Sequence, residues 1–125
     1  MLARDVMSSN VISIKPETKV FEAVGLLVNN KIGWAPVLDD NGDIVGVVTE
    51  KDLLVSLDFL GEKNARDAAV REFMSTDIIS SSENMPLKEI MQIIVRKNIK
   101  RVPILNGKKV IGMVSSRDIL RALLR

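Results

Sequence analysis

The chain has 125 residues, a formal net charge of +2, and neither Cys nor His. It therefore has no imidazole base, thiol nucleophile, disulfide or thiolate zinc site, which disfavours most enzyme classes. No apolar run reaches the length of a membrane span and no Asp-rich loop has Ca²⁺-binding spacing, so we expect no membrane segment and no metal site. The lack of Cys is compatible with the reducing cytoplasm, where we expect the protein to act.

Charge is distributed unevenly along the chain. Residues 1–62 carry 5 basic and 10 acidic side chains, a net of −5, whereas residues 96–125 carry 9 and 1, a net of +8. The weakly basic total argues against general nucleic-acid binding, but the local excess of cations predicts an anion near the C-terminal third.

The chain opens with a predicted strand and an amphipathic helix. A short apolar strand is expected at Val11–Ile14, and Thr18 is a plausible N-cap for the helix that follows. The apolar stripe of this helix comprises Val20, Ala23, Val24, Leu27 and Val28.

A hairpin and a second helix follow. The predicted strands Pro36–Leu38 and Ile44–Val48 are joined by a turn at Asn41-Gly42, with Pro tolerated at the start of a strand. The next helix is expected to begin after Thr49, which completes the order β-α-β-β-α.

The same order returns in the second half of the chain, because the sequence repeats itself. A shift of 67 residues lays Met7-Ser8 on Met74-Ser75 and Pro36–Leu38 on Pro103–Leu105, and a shift of 66 residues lays Gly46–Leu53 on Gly112–Ile119. So many matches in register, across a single gap, identify the chain as a tandem pair.

The second copy has its own version of each element. A strand is expected at Ile78–Ser80, and Pro86 stands where a first helical residue would. The stripe of its first helix comprises Leu87, Ile90, Met91 and Ile94. The strands Pro103–Leu105 and Val110–Val114 are joined by Asn106-Gly107, for which we expect a type I′ turn, and the last helix begins after Ser115.

The repeat predicts an α+β fold made of two β-α-β-β-α units. We place the first repeat at residues 1–60, a linker at 61–69 and the second repeat at 70–125, because Gly61–Asn64 has the polar composition of a turn. A unit of this size has a marginal core, so we expect the two repeats to pack sheet-to-sheet about a pseudo-twofold axis. Clefts suited to small molecules are expected at their junction.

One motif, Gly-apolar-apolar-Thr/Ser-x-basic-Asp, occurs in both repeats, at Gly46–Asp52 and Gly112–Asp118. Its structural interpretation is a helix capping box formed by the hydroxyl residue and the Asp three residues later. Its functional interpretation is a ligand site, because a helix N-terminus attracts anions and a carboxylate there can accept two hydrogen bonds from a vicinal diol such as a ribose. The two roles are compatible.

At these residues the chain resembles a tandem pair of CBS domains, also called a Bateman module. The resemblance runs from Asp5 to Leu120 and rests on both motifs, both Pro strands and the entries Asp5–Ser8 and Glu72–Ser75. It implies a regulatory sensor, not an enzyme, that binds adenosine-type ligands (AMP, ADP, ATP or S-adenosylmethionine) between the repeats. Such a module either stands alone or forms one piece of a larger protein.

The resemblance also implies which residues bind the ligand. Asp52 and Asp118 would hold ribose hydroxyls, with Thr49 and Ser115 beside them, and the first strand of the opposite copy would line the base. The expected residues of the first site are Trp34, Pro36, Thr49, Lys51, Asp52, Ile78 and Ile79. Those of the second site are Asn10, Ile12, Lys100, Arg101, Pro103, Ser115, Arg117 and Asp118.

The second site is expected to be the better nucleotide-phosphate site. It offers the cations Lys100, Arg101 and Arg117, whereas the equivalent positions of the first copy are Gly33, Trp34 and Lys51. Two alternatives stay open here. The first is that the Lys100-Arg101 pair is only a solvated basic turn that binds no ligand. The second concerns Trp34, which either stacks on a bound base or packs in a core.

We expect a homodimer, because modules that this chain resembles commonly pair head-to-head or head-to-tail. The opposite charges of the two ends favour head-to-tail pairing, weakened by salt screening over about 8 Å. A protein effector is also expected, since the chain carries no effector domain of its own. Three other functions stay open: a ligand-independent interaction scaffold, nucleic-acid binding through the basic C-terminal third, and an enzyme with slow phosphatase-like turnover of a bound nucleotide.

Overall fold

Each repeat builds one antiparallel hairpin flanked by helices, in a computed structural model that describes the whole chain, Met1–Arg125. The elements in chain order are α1 (Ala3–Val6), α2 (Val20–Asn29), β1 (Trp34–Leu38), β2 (Ile44–Thr49), α3 (Glu50–Leu60), α4 (Glu62–Ala65), a 3₁₀ turn (Val70–Glu72), α5 (Leu87–Lys97), β3 (Arg101–Asn106), β4 (Lys109–Ser115) and α6 (Ser116–Ala122). The predicted mixture of helices and strands is confirmed. No helix has the length and apolar character that a membrane span requires.

The chain divides into two compact units that cross the boundaries of the sequence repeats. Unit 1 combines Met1–Val11 with Ile79–Arg125, and unit 2 is the continuous stretch Ile12–Ile78. The N-terminal segment joins unit 1 through backbone hydrogen bonds, including a reciprocal pair of 2.9 Å between Ser8 and Met113. Each hairpin is thus hydrogen-bonded to a segment from outside it: an earlier segment for β3–β4 and a later one for β1–β2.

The stretch expected to link the repeats, residues 61–69, lies within unit 2. Gly61 ends α3 with a φ of +79°, a conformation that glycine adopts without strain, and α4 begins directly after it. Ala65 at the end of α4 is fully buried.

The core of unit 2 is formed by α2, the hairpin β1–β2 and the start of α3. Its buried residues are Ile14, Val20, Ala23, Leu27, Ala35, Val37, Val48, Leu53 and Val70. The predicted stripe of α2 is correct at Val20, Ala23 and Leu27, but Val28 is exposed and does not belong to this core. Thr18 is not the N-cap, because α2 begins one residue later and Thr18 Oγ1 instead accepts a hydrogen bond from the Lys15 amide.

The core of unit 1 is built in the same way from α5, β3–β4 and α6, with α1 added to it. Its buried residues are Ala3, Ile90, Ile94, Val102, Ile104, Val114 and Ile119. Pro86 is the N-cap of α5 rather than its first helical residue. Met91, predicted to lie in the apolar stripe, is exposed because it sits at the edge of the buried face.

The two predicted entry strands, Val11–Ile14 and Ile78–Ser80, are not regular strands. Ile14 forms a single parallel bridge with Val37, and Ser81 forms the equivalent bridge with Ile104. Ile14 and Ser81, which is the residue after the second predicted strand, each exchange backbone hydrogen bonds with a hairpin, so neither segment extends into a ladder.

The β3–β4 hairpin differs from the predicted type I′ turn at Asn106-Gly107. Asn106 is the last residue of β3 and pairs with Lys109, so the two loop residues are Gly107 and Lys108. Of these only Gly107 has a positive φ, +62°. A glycine with positive φ at the first loop position is the pattern of a type II′ turn.

Candidate functional site

Both occurrences of the motif form capped helix starts, as predicted. The Asp52 amide donates to Thr49 Oγ1 at 3.3 Å, and the Thr49 amide donates to Asp52 Oδ2 at 2.8 Å. The Ser115–Asp118 pair repeats this at 3.1 Å and 2.8 Å. Both hydrogen bonds of the capping box are therefore made at the start of α3 and at the start of α6.

The capping bonds leave part of each carboxylate available. In Asp52 all of them, including one from the Thr49 hydroxyl at 3.0 Å, converge on Oδ2, so Oδ1 accepts no hydrogen bond from the chain. In Asp118, Oδ1 lies 3.5 Å from Nη1 of Arg121, which is itself mostly exposed. The Asp118 side chain is only 13% exposed. Each carboxylate thus keeps one oxygen outside its capping box.

The backbone ties each helix start to the residue that precedes the first hairpin strand. The Glu50 amide donates to the Gly33 carbonyl at 3.0 Å, and the Ser116 amide donates to the Lys100 carbonyl at 2.9 Å. One residue further on, Arg101 pairs directly with Ser115 across the β3–β4 ladder. In unit 1 the fold therefore brings Lys100 and Arg101 beside the cap of α6.

The equivalent position in unit 2 is occupied by Trp34, which pairs with Thr49 across the β1–β2 ladder. Trp34 is only 7% exposed, so nearly all of its surface is buried. Lys51 on the first turn of α3 is exposed, as is its counterpart Arg117 on α6. The two helix starts therefore share one geometry and differ in charge.

The residues expected to line the base are divided between the units. Asn10 is exposed and lies in unit 1, the unit of the second site, whereas Ile12 falls in unit 2. Ile78 is half-buried and lies in unit 2, the unit of the first site, whereas Ile79 falls in unit 1. Each unit therefore holds one of the two residues expected for its own site.

The two prolines of the expected sites, Pro36 and Pro103, are buried in β1 and β3. Their carbonyl groups accept hydrogen bonds from Ile14 at 3.0 Å and Ser81 at 3.1 Å, respectively. They hold the entry segments against the hairpins.

Sequence analysis missed a close packing contact in each hairpin. A β-carbon added to Gly46 would lie 2.7 Å from Met74 Sδ, and one added to Gly112 would lie 2.7 Å from Met7 Sδ. The signals were present as the Met-Ser pairs at both repeat entries and as the glycine that opens each motif. The sequence did not show that these residues contact each other, because Met7 packs against the hairpin of the other repeat.

No group of three or more Asp and Glu side chains in the chain is arranged to hold a metal ion. Asp52 and Asp118 at the helix starts are each engaged in a helix cap.

Comparison with known families assigns both repeats. The CBS domain model matches residues 3–58 and again residues 70–125. The chain belongs to the CBS domain family. Its two copies of the domain account for nearly all of its length.

The chain is also similar to individual proteins of this family. It is 26% identical over 120 residues to the uncharacterized protein MJ1225 of Methanocaldococcus jannaschii, covering 96% of this chain but 42% of that relative. The CBS domain pair of protein MJ0100, solved in complex with 5′-methylthioadenosine and S-adenosyl-L-methionine, is 26% identical with a TM-score of 0.86, covering 98% of this chain and 95% of that one. CBSX2, solved in complex with AMP, is 27% identical with a TM-score of 0.87, covering 98% and 96%.

Proposed function

We propose that this chain is a regulatory module, without catalytic activity, that binds an adenosine-type ligand at the starts of α3 and α6. The candidate ligands are AMP, ADP, ATP and S-adenosylmethionine. The observation that carries the proposal is the pair of half-buried carboxylates, Asp52 and Asp118, each of which caps a helix with one oxygen and keeps the other outside the cap.

The similar structures support this class of ligand. MJ0100 was solved with 5′-methylthioadenosine and S-adenosyl-L-methionine, and CBSX2 with AMP. These three molecules share the adenine base and the ribose with its two hydroxyls, and they differ in the group attached to the ribose C5′. A site that recognises what they share must therefore contact the base and the ribose.

In this proposal the ribose hydroxyls donate hydrogen bonds to Asp52 or Asp118. Each hydrogen bond to a charged group contributes about 1.5–3 kcal/mol. The hydroxyls of Thr49 and Ser115 lie beside these carboxylates and contact the ribose or the first phosphate. Because the capping bonds already orient both carboxylates, the ligand does not have to order them.

The two sites differ in the residues that they offer to the phosphate end and to the base end of the ligand. Lys100, Arg101 and Arg117 make the start of α6 the better site for phosphate, while the start of α3 offers only Lys51. For the base, we propose Asn10 at the second site and Ile78 at the first, because each lies in the unit that holds the site. Trp34, Pro36 and Pro103 shape the hairpins beneath the sites.

We further propose that the module works as a cytoplasmic homodimer and passes its signal to a protein effector. A ligand changes the shape or pairing of such a dimer only if it binds one arrangement more tightly than the other. The size of the response is then set by the difference in affinity between the two arrangements.

A second candidate function, a ligand-independent scaffold, is favoured by one observation. The capping boxes at Thr49 and Ser115 are formed entirely by residues of the chain, so the motif has a structural role that explains its presence. A thermal-shift screen without any response to adenine compounds would favour the scaffold.

Isothermal titration calorimetry with AMP, ADP, ATP, NAD and S-adenosylmethionine tests the proposal directly. We expect binding of at least one compound, and a larger loss of AMP affinity in Asp118→Ala than in Asp52→Ala. Equal losses would contradict the preference for the second site. Failure of every compound to bind the folded wild-type protein would contradict the proposed function. Nucleic-acid binding would be supported instead by an oligonucleotide complex that weakens as the salt concentration rises and that AMP does not displace.

A further inference from the structure

The two proposed sites differ in what faces the outer oxygen of the capping carboxylate. Asp52 Oδ1 accepts no hydrogen bond from the chain, whereas Asp118 Oδ1 lies 3.5 Å from Nη1 of Arg121. Arg121 follows Asp118 by three residues, and the shift of 66 residues places Val55 at the equivalent position of α3. Only the second site therefore holds a cation of its own at the oxygen that a ribose hydroxyl would contact.

The two members of this ion pair have different freedom to move. The Asp118 side chain is only 13% exposed and is oriented by the cap, while the Arg121 side chain is 62% exposed. An ion pair with an exposed member contributes little stability, because water solvates the released charge. A ligand that offers the guanidinium another anion can therefore draw Arg121 away while Asp118 stays in place.

A second cation on α6 indicates where such an anion would lie. Arg117 and Arg121 are four residues apart, so their guanidinium groups are neighbours on one side of the helix and repel each other. Both side chains are exposed. A phosphate group attracts both, since it accepts paired hydrogen bonds from a guanidinium. Helix α3 offers no equivalent pair, because its residues at these positions are Lys51 and Val55.

We infer that Arg121 makes the second site selective for phosphorylated nucleosides by exchanging one partner for another. In the structure its guanidinium pairs with Asp118 Oδ1. When a nucleotide binds, a ribose hydroxyl donates to Oδ1 and the phosphate pairs with the guanidinium. A nucleoside without phosphate also displaces Arg121 but provides no anion for it, so it binds more weakly. This inference rests on the proposed function and adds to it the residue that selects the ligand.

Reciprocal substitutions at the repeat-equivalent positions test this role. Arg121→Val removes the guanidinium from the second site, and Val55→Arg introduces one at the first. Both positions are exposed, so neither change disturbs a core. Arg125→Val is the matched control, because it removes the same charge seven residues beyond the carboxylate. NMR titration with adenosine and with AMP reads each site separately, through the Thr49 and Ser115 amides that donate to the two carboxylates.

In Arg121→Val, the affinity of the second site for adenosine is expected to rise about two- to fivefold, because no ion pair competes for the carboxylate. Its affinity for AMP is expected to fall about fivefold, because the phosphate loses a charged partner. Val55→Arg should do the opposite at the first site, weakening adenosine binding and strengthening AMP binding. Arg125→Val should leave both affinities unchanged.

Arg121→Gln repeats the test with a side chain that favours helix as strongly as arginine, so a loss of helix cannot explain its effect. Adenosine affinity that stays the same or falls at the second site of both Arg121 variants would overturn the inference. The proposed function would still stand in that case, because the wild-type chain binds the ligands. If neither adenosine nor AMP shifted either amide of the wild-type chain, the proposed function would fail, and this inference with it.

Discussion

Met7 packs so closely against Gly112 that a β-carbon at residue 112 would lie 2.7 Å from the Met7 sulfur and 3.0 Å from the Ser8 carbonyl oxygen. The two residues are on different sequence repeats but in the same compact unit. Glycine is therefore required at this position of β4 by the approach of a distant segment, and its backbone conformation does not require it.

Gly112→Ala is expected to lower the free energy of unfolding by about 1–3 kcal/mol, because the new methyl group displaces Met7 and the backbone of Ser8. Urea denaturation measures the loss. Gly25→Ala is the matched control: the nearest atom, Asn29 Nδ2, is 3.9 Å away and the residue is inside α2. That change is expected to raise stability by about 0.5–1 kcal/mol. Equal effects of the two substitutions would contradict the close approach at Gly112.

Deletion of residues 1–8 is expected to expose one edge of the β3–β4 hairpin selectively. The Met113 amide donates to the Ser8 carbonyl at 2.9 Å, so its hydrogen exchange should accelerate when that segment is removed. The Val47 amide, which donates to Ser75 at 2.9 Å in unit 2, provides the internal control and should keep its protection. Hydrogen exchange followed by NMR reads both sites, and an unchanged rate at Met113 would contradict the assignment of the N-terminal segment to unit 1.

Thr49→Ala is expected to lower the free energy of unfolding by about 0.5–2 kcal/mol, because the Asp52 amide loses its side-chain acceptor at the start of α3. Thr49→Ser retains the hydroxyl and should stay close to wild type. Thermal unfolding followed by circular dichroism distinguishes the two variants. If both lost the same stability, the methyl group rather than the cap would be responsible.

Arg117→Ala is expected to weaken AMP binding more than adenosine binding, because its guanidinium is proposed to contact phosphate at the second site. Lys51→Ala is the matched substitution at the equivalent position of α3, and its effect on AMP should be smaller. Calorimetry at two salt concentrations measures both, and the affinity lost in Arg117→Ala should shrink as salt screens the contact. An equal loss for AMP and adenosine would contradict a phosphate contact by Arg117.

The features that sequence analysis predicted correctly depend on neighbours along the chain. The caps at Thr49 and Ser115 join residues three apart, so their geometry follows from the order of the residues themselves. The hairpin strands followed from apolar runs around a turn. Where a local signal competed with packing, as for Thr18 as N-cap and Val28 as a core residue, the prediction was wrong.

The sequence by itself determined the repeat, the helix-strand-strand-helix order that each repeat contains, and the pairing of each hydroxyl with its capping carboxylate, since all of these arise from short-range periodicity and spacing. Only the tertiary structure decided that Met1–Val11 completes unit 1, and that Met7 packs against Gly112. These arrangements depend on which backbone edge and which glycine a distant segment meets. No short-range pattern encodes that choice, because it is made when the apolar surfaces of the folded hairpins are buried.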